Sequence, residues 1–253
     1  MIGIFDSGVG GLSVLREIRK VLPAQSYIYY SDNAHCPYGE KSREYIISRA
    51  REITEFLLSK GCEIIVVACN TATAAAISVL REEYPIRFIG MEPAIKPAAQ
   101  MTKTGTIGVL ATAGTLKSEK YLRHKEKYAS DIRIIERAGE GFVELVERGI
   151  TSGPEAEATV RNSLGPLLSA GADTIVLGCT HYPFLSDTIS TVAGNLYPHR
   201  QVTIIDPAPA VARHLVEVMQ QEGISLTSPE GSGIELHSSG APDILTTFYQ
   251  KIS

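Results

Sequence analysis

The sequence predicts an α/β protein made of two pseudo-symmetric three-layer domains, each built on a mainly parallel sheet. Three observations carry that expectation. Short β-branched runs alternate with segments of helical periodicity through most of the 253 residues. The runs are apolar at successive positions, which marks strands covered on both faces. The pattern also restarts. "KGCEIIVVACNT" (60–71) lines up with "AGADTIVLGCTH" (170–181), "IGIFDSG" (2–8) with "IGVLATA" (107–113), and "FIGMEPA" (88–94) with "TIIDPAP" (203–209). One such match means little, because buried strands look alike. Three in one order point to duplication.

Each element has a local reason. "IGIF" (2–5) is an apolar strand, and "GLSVLREIRKVL" (11–22) repeats apolar residues at helical spacing. "YIYYSD" (27–32) is a strand. The loop "AHCPYGEKS" (34–42) leads into a long helix, 42–61, which Gly61 stops. "EIIVVAC" (63–69) is a β-branched strand, 72–84 a helix and "RFIGM" (87–91) a strand. The second series runs strand 106–111, helix 115–128, strand 132–137, helices 140–149 and 154–170, strand 174–179, a short helix, strand 201–206 and helix 210–223. A strand-like segment and a closing helix end the chain. The two prolines of "EPAIKPAAQ" (92–100) mark a boundary, and "DPAPA" (206–210) a return. The expected domains are therefore 1–93 plus 208–253, and 94–207. The closing helix should pack on the first, and the ligand cleft should lie between the two.

Composition excludes several classes. A 44% apolar and 21% charged chain has ample material for a core. A net charge of -4 argues against a nucleic-acid partner. The most charged stretch, "KSEKYLRHKEKY" (117–128), mixes both signs and reads as a solvated helix face. The opening "MIGIFDSGVGG" lacks a basic leader, and no window approaches the ~18 apolar residues of a membrane span. A cytoplasmic protein without membrane contact is expected. The four cysteines, at 36, 62, 69 and 179, have neither disulfide-scaffold density nor a C-x-x-C pair. No metal is expected.

Cys69 and Cys179 occupy the same place in the repeat, where a strand hands over to a helix. Both sulfurs should then lie near positive helix ends, which favour thiolate. Pro183 suits the first turn of the second helix, and Thr71 or Thr73 could cap the first. A single such cysteine reads best as a small core residue; the duplicated setting reverses that preference. Cys36 and Cys62 lack it. Two like thiols facing one substrate suit racemisation or epimerisation, in which one removes a proton and the other returns one. Zinc ligation by Cys69, Cys179 and His181 lacks the usual paired spacing, and a redox disulfide is disfavoured in the cytosol.

The loop "FDSGVGGLSVL" (5–15) has Ser13 where a dinucleotide fingerprint needs Gly or Ala, and no Gly-Lys-Ser/Thr follows. Its glycines still allow a tight turn that presents N–H groups to a carboxylate. Asp6 ends its strand there; it either serves the cleft or only caps the helix. Tyr38 and Gly39 offer a hydroxyl and an N–H, or form a plain turn. His181 sits two residues past Cys179 and can polarise it. Glu147, at a helix end, matters only if it lies near His181.

Together these motifs resemble the cofactor-independent glutamate racemases of the aspartate/glutamate racemase family. The matching segments are "IGIFDSGVGGLSVL", "DNAHCPYGEKS", "ACNTATA", "IGMEPAIKPA", "LATAGTLKSEKY", "ERG" and "GCTHYPFL", in the family's order from residue 2 to 185. The resemblance implies interconversion of L- and D-glutamate with no cofactor, supplying peptidoglycan synthesis and so cell shape, by a protein that is usually a homodimer. It implies Cys69 and Cys179 as the proton-transferring pair, with Asp6 assisting the first and His181 with Glu147 near the second. Asp6, Ser7, Tyr38, Gly39, Asn70, Thr71, Thr180 and His181 fall on glutamate-binding positions, and Thr73, Thr112 and Thr115 on a second tier. Aspartate racemisation and a non-catalytic amino-acid binding module are the alternatives. "IIDPAPAVA" (204–212) departs from the family pattern, and the chain after residue 225 matches poorly.

Overall fold

The computed structural model describes residues 1–128, 130–228 and 231–252. The chain divides into two compact units, Met1–Met91 with Ala208–Ser253, and Glu92–Pro207.

The first unit carries strands β1 (Ile2–Asp6), β2 (Ser26–Ser31), β3 (Ile64–Val67) and β4 (Arg87–Gly90), with helices α1 (Leu12–Val21), α2 (Arg43–Ser59) and α3 (Asn70–Glu83). In the second unit, α4 (Ile95–Met101), β5 (Thr106–Ala111), α5 (Ala113–Leu116), α6 (Glu119–Tyr128), β6 (Arg133–Ala138) and α7 (Phe142–Glu147) come first. They are followed by α8 (Pro154–Ser169), β7 (Thr174–Gly178), α9 (Ser186–Leu196) and β8 (Thr203–Ile205). The chain then returns to the first unit as α10 (Ala208–Gln221), β9 (Gly233–Ser238) and α11 (Pro242–Ile252). The final strand and helix match the sequence-level expectation; β9 pairs in parallel with β2, and α11 packs on α1.

All strand pairs are parallel, in the orders β4-β3-β1-β2-β9 and β6-β5-β7-β8. Every residue of β1, β3 and β7 is buried, so both faces of each sheet centre are covered. That burial is the physical reason the strands read as unbroken apolar runs. On one face of the first sheet, Ile46, Ala50, Ile53 and Leu57 of α2 pack with Ala72, Ala76 and Leu80 of α3.

The duplication holds at the level of single hydrogen-bonded pairs. Gly3 pairs with Ile65 in the first unit, and Gly108 with Ile175 in the second, so the sequence-derived offsets (108 − 3 = 105 and 175 − 65 = 110) describe one register. The third segment needs a correction. Ile65 pairs with Phe88 and Ile175 with Ile204, an offset of 116 (204 − 88) rather than the 115 of the sequence alignment. Apolar edge strands align equally well by eye at either register; the ladder decides.

The helix ends repeat as well. After α2, Gly61 (φ +81°) turns the chain; its N–H donates to Leu58 O and Cys62 N–H to Leu57 O. After α8, Gly171 (φ +102°) does the same, with Gly171 N–H on Leu168 O and Ala172 N–H on Leu167 O. This crossed pair of bonds closes a helix whose next residue takes a left-handed backbone.

Two local features differ from the sequence-level reading. The units divide at Met91/Glu92, at the start of the segment read as a boundary, and that segment also contains an unforeseen helix, α4. Pro97 sits at its third residue, within the first turn, where a missing N–H breaks no bond. The single helix expected at 115–128 is two: Thr112 caps α5 by accepting from Thr115 N–H, and Ser118 Oγ accepts from Tyr121 N–H at the start of α6. Of the mixed charges of α6, Arg123 pairs with Glu119 within the helix, and Lys125 pairs with Glu136 of β6.

Candidate active site

In each unit the candidate residues gather at the C-terminal edge of the sheet, where open parallel sheets hold their ligands. In the first, Asp6 closes β1, and Cys69 follows the adjacent β3 by two residues. Cys69 is itself the N-cap of α3: its Sγ accepts from Ala72 N–H at 3.4 Å. Thr71 and Thr73, expected as possible caps, lie inside the helix instead. The sulfur therefore lies at the positive end of a four-turn helix, a setting that favours a thiolate. Its thiol is also 3.8 Å from Ser7 Oγ. Cys69 is only 5% exposed.

Asp6 is fully buried and accepts from Gly11 N–H, the N-cap of α1, at 2.8 Å. The glycine there has a steric reason: a Cβ on Gly11 would stand 2.7 Å from Asp6 Cβ and 2.8 Å from the Tyr29 hydroxyl. Asn70 and Thr71 are buried in the first turn of α3. The Asn70 side-chain carbonyl is buried with no hydrogen-bond partner among the described residues. Buried polar atoms rarely stay unsatisfied, so this oxygen is a natural seat for a ligand donor. Thr73 serves the frame: its hydroxyl donates to Val67 O at 3.0 Å and accepts from Met91 N–H at 3.1 Å, tying the ends of β3 and β4.

Tyr38 is buried in a short 3-10 turn, Tyr38–Glu40, with Gly39 half-exposed beside it. Its hydroxyl donates to Asp32 at 2.6 Å. Sequence reasoning missed Asp32. It is wholly buried, and Arg49 of α2 grips it with Nε and Nη2 at 3.0 and 2.9 Å. Burial alone would raise the Asp32 pKa; the hydrogen bonds from Arg49, Tyr38 and Ser239 outweigh it and hold the carboxyl below its ordinary value. Burial, reinforced by the Asp32 charge, keeps the Tyr38 phenol protonated far above neutral pH. The other core cysteine, Cys62, is pushed up to about 11 by burial and is an inert thiol at neutral pH.

In the second unit, Cys179 directly follows β7 and is 7% exposed. Its Sγ lies 3.8 Å from His181 Nδ1. The other ring nitrogen, Nε2, meets Glu147 Oε1 at 2.7 Å. His181 is 1% exposed and Glu147 is 18% exposed at its side chain. Glu147 ends α7, so a residue 34 positions away orients the imidazole. Thr180 is buried next to Cys179. Thr112, one residue past the neighbouring β5, donates to Thr115 Oγ1 at 3.0 Å.

The short helix expected after Cys179 is a four-residue 3-10 helix, Tyr182–Leu185, with Pro183 in its first turn; it starts three residues past the cysteine, and α9 begins only at Ser186. The two thiols are thus equivalent in strand register and different in their surroundings. A helix end and a serine lie beside Cys69; a histidine–carboxylate pair lies beside Cys179. Tyr182 anchors the 3-10 turn by donating to Gly139 O at 3.3 Å and stacking edge-on against Phe142.

Fold and site together define a class: a duplicated parallel α/β protein with one buried thiol at the same strand end of each unit. A family model described as Asp/Glu/Hydantoin racemase matches residues 2–215. A glutamate racemase from Methylococcus capsulatus is 50% identical over 241 residues, 95% of this chain and 87% of that protein. The crystal structure of a glutamate racemase isoform from Bacillus anthracis, 34% identical, aligns with a TM-score of 0.87 over 99% of this chain and 92% of that one. The Escherichia coli glutamate racemase, solved with L-glutamate and the activator UDP-MurNAc-Ala, gives 0.86 at 32% identity over 100% and 94%. The chain belongs to the Asp/Glu/Hydantoin racemase family.

Proposed function

We propose that the chain interconverts L- and D-glutamate, with Cys69 and Cys179 as its two bases. The observation that carries this reading is the duplication: one buried thiol at the same strand end of each unit, in a chain of this family. One thiolate removes the α-proton and the opposite thiol delivers another to the other face. In the reverse reaction the roles exchange. Asp6 serves Cys69; His181, oriented by Glu147, serves Cys179. Ser7, Tyr38, Gly39, Asn70, Thr71 and Thr180 hold the substrate, and Thr73, Thr112 and Thr115 support them. Apart from Tyr38, whose proton goes to Asp32, these are neutral donors that bind carboxylates without placing a strong cation beside a thiolate. A carbanion next to a carboxylate is costly, so the site stabilises it by fixed dipoles and by excluding water. The reaction draws on no electron-sink cofactor.

The substrate choice follows the relatives, which are glutamate racemases at about half identity. The proposed setting is a cytoplasmic homodimer that supplies D-glutamate for peptidoglycan and so for cell shape. No helix among the described residues is long and apolar enough to cross a membrane. The test is to incubate the purified protein with each enantiomer of glutamate and aspartate, without added cofactor, and follow optical rotation. Loss of rotation with glutamate alone is expected. Racemisation of aspartate but not glutamate overturns the substrate assignment, and binding without racemisation makes the chain a binding module.

A further inference from the structure

Tyr38 has one proton to donate, and Asp32 stands within hydrogen-bond distance of it. The turn that carries it packs on α3, and Tyr38 shares a buried cluster with Cys69 and Ala72. A charge on the Cys69 sulfur is felt at the phenol, as is the charge on Asp32. A phenol that turned to the sulfur would hydrogen-bond a thiolate, stabilise it and make it a poorer base. Its proton goes to Asp32 at 2.6 Å instead.

Asp32 is built to accept it. Its backbone N–H donates to Asp6 O at 2.9 Å, which fixes the residue beside the β1 end. Arg49 binds both carboxylate oxygens, and Glu52 in turn binds Arg49. Two parallel bonds from a guanidinium fix the orientation of a carboxylate as well as its charge. The other titratable groups facing this carboxylate are His35, at 4.0 Å on the adjoining 3-10 turn, and Tyr30 of β2.

We propose that the Asp32–Arg49 pair is a positioning device for proton transfer at Cys69: it captures the Tyr38 proton and so keeps the sulfur a strong base. The idea rests on Cys69 being one of the two proton-transferring thiols. Asp32 and Arg49 act through Tyr38 and touch no reacting atom. Toward a bound amino acid, the Tyr38 hydroxyl offers only its lone pairs.

The test is the pH profile of kcat/KM for glutamate in four proteins: wild type, Asp32→Asn, Tyr38→Phe and the double variant. Asp32→Asn leaves the phenolic proton a neutral, weaker acceptor and removes a nearby negative charge. Both effects stabilise the thiolate, so the acid limb should move to lower pH. The plateau should fall on the order of tenfold as the base weakens. Tyr38→Phe removes the errant donor, so Asp32→Asn should cost far less in the Tyr38→Phe background than in wild type. An unchanged Asp32→Asn profile overturns the proposal. So does an Asp32→Asn effect of the same size in both backgrounds, which is the result a purely structural Asp32 would give. Should Asp32→Asn fail to fold, Arg49→Gln supplies the second arm. It lets Asp32 protonate at higher pH, so activity should drop only on the acid side; an unaltered profile there is equally fatal. A wild type that does not racemise glutamate removes the underlying reading. A racemising wild type with an indifferent Asp32→Asn removes this inference alone.

Discussion

At the scale of single residues, the proposed chemistry depends on two sulfurs in unlike surroundings. Cys69→Ala and Cys179→Ala should each abolish net racemisation, by at least about 10³-fold, while glutamate still binds. Calorimetry beside a chiral assay separates the two effects. His181→Asn should act on one half-reaction. The imidazole lies 3.8 Å from Cys179 Sγ and belongs to the other unit from Cys69. Deprotonation by Cys179 then becomes limiting, so the α-deuterium isotope effect should grow for one enantiomer only. Equal growth for both would contradict the division of labour. Asp32 adds a stability signature. Its folded pKa lies below its unfolded value, so its contribution is complete above about pH 4 and fades as pH falls through the folded value. Thermal melts from pH 7 to pH 3 should show a smaller acid loss in Asp32→Asn than in wild type. Cys69, Cys179 and Asp6 were legible because each ends an apolar run. Asp32 was not, because its meaning depends on Arg49, seventeen residues on and brought back by α2.

Among elements, the strand ends are held by tight backbone packing rather than by long side chains. A Cβ on Gly178 would stand 2.7 Å from Ala111 Cβ and 3.1 Å from Leu110 O, both on β5, with little freedom to move. Gly178→Ala should therefore cost about 1–3 kcal/mol by denaturant titration and displace the adjacent Cys179, lowering kcat. Equal stability would refute that strand packing. The sequence located most strands and long helices, because parallel strands buried on both faces leave unbroken apolar runs. It missed α4 because Pro97 reads as a breaker, although the first turn of a helix tolerates it. It placed the cap of α3 on threonines because a sulfur is a weak acceptor and is seldom counted among caps. It placed Pro183 in the first turn of a short helix after Cys179, where it lies; that this helix is 3-10 rather than α was not readable.

For the molecule as a whole, duplication is the organising fact. Strand order, strand register and the glycine-closed helix ends repeat between the units, while the hydrogen-bond partners of the thiols do not. The repeated part was readable because duplicated buried strands keep their residue types and spacing. The divergent part was harder to read because such partners come from helices distant in sequence: Glu147 was tied to His181 only through the family resemblance, and Arg49 was not tied to Asp32 at all. A racemase needs both features: like groups that act in either direction, and assistants fitted to each. The most direct measurement of that claim is early-turnover racemisation of ordinary L-glutamate, and separately of D-glutamate, in heavy water. Two opposed thiols predict that newly formed enantiomer carries deuterium at Cα while unreacted substrate keeps its protium. Product that retains the substrate's own hydrogen, in either direction, would mean a single base serves both faces and would contradict the account.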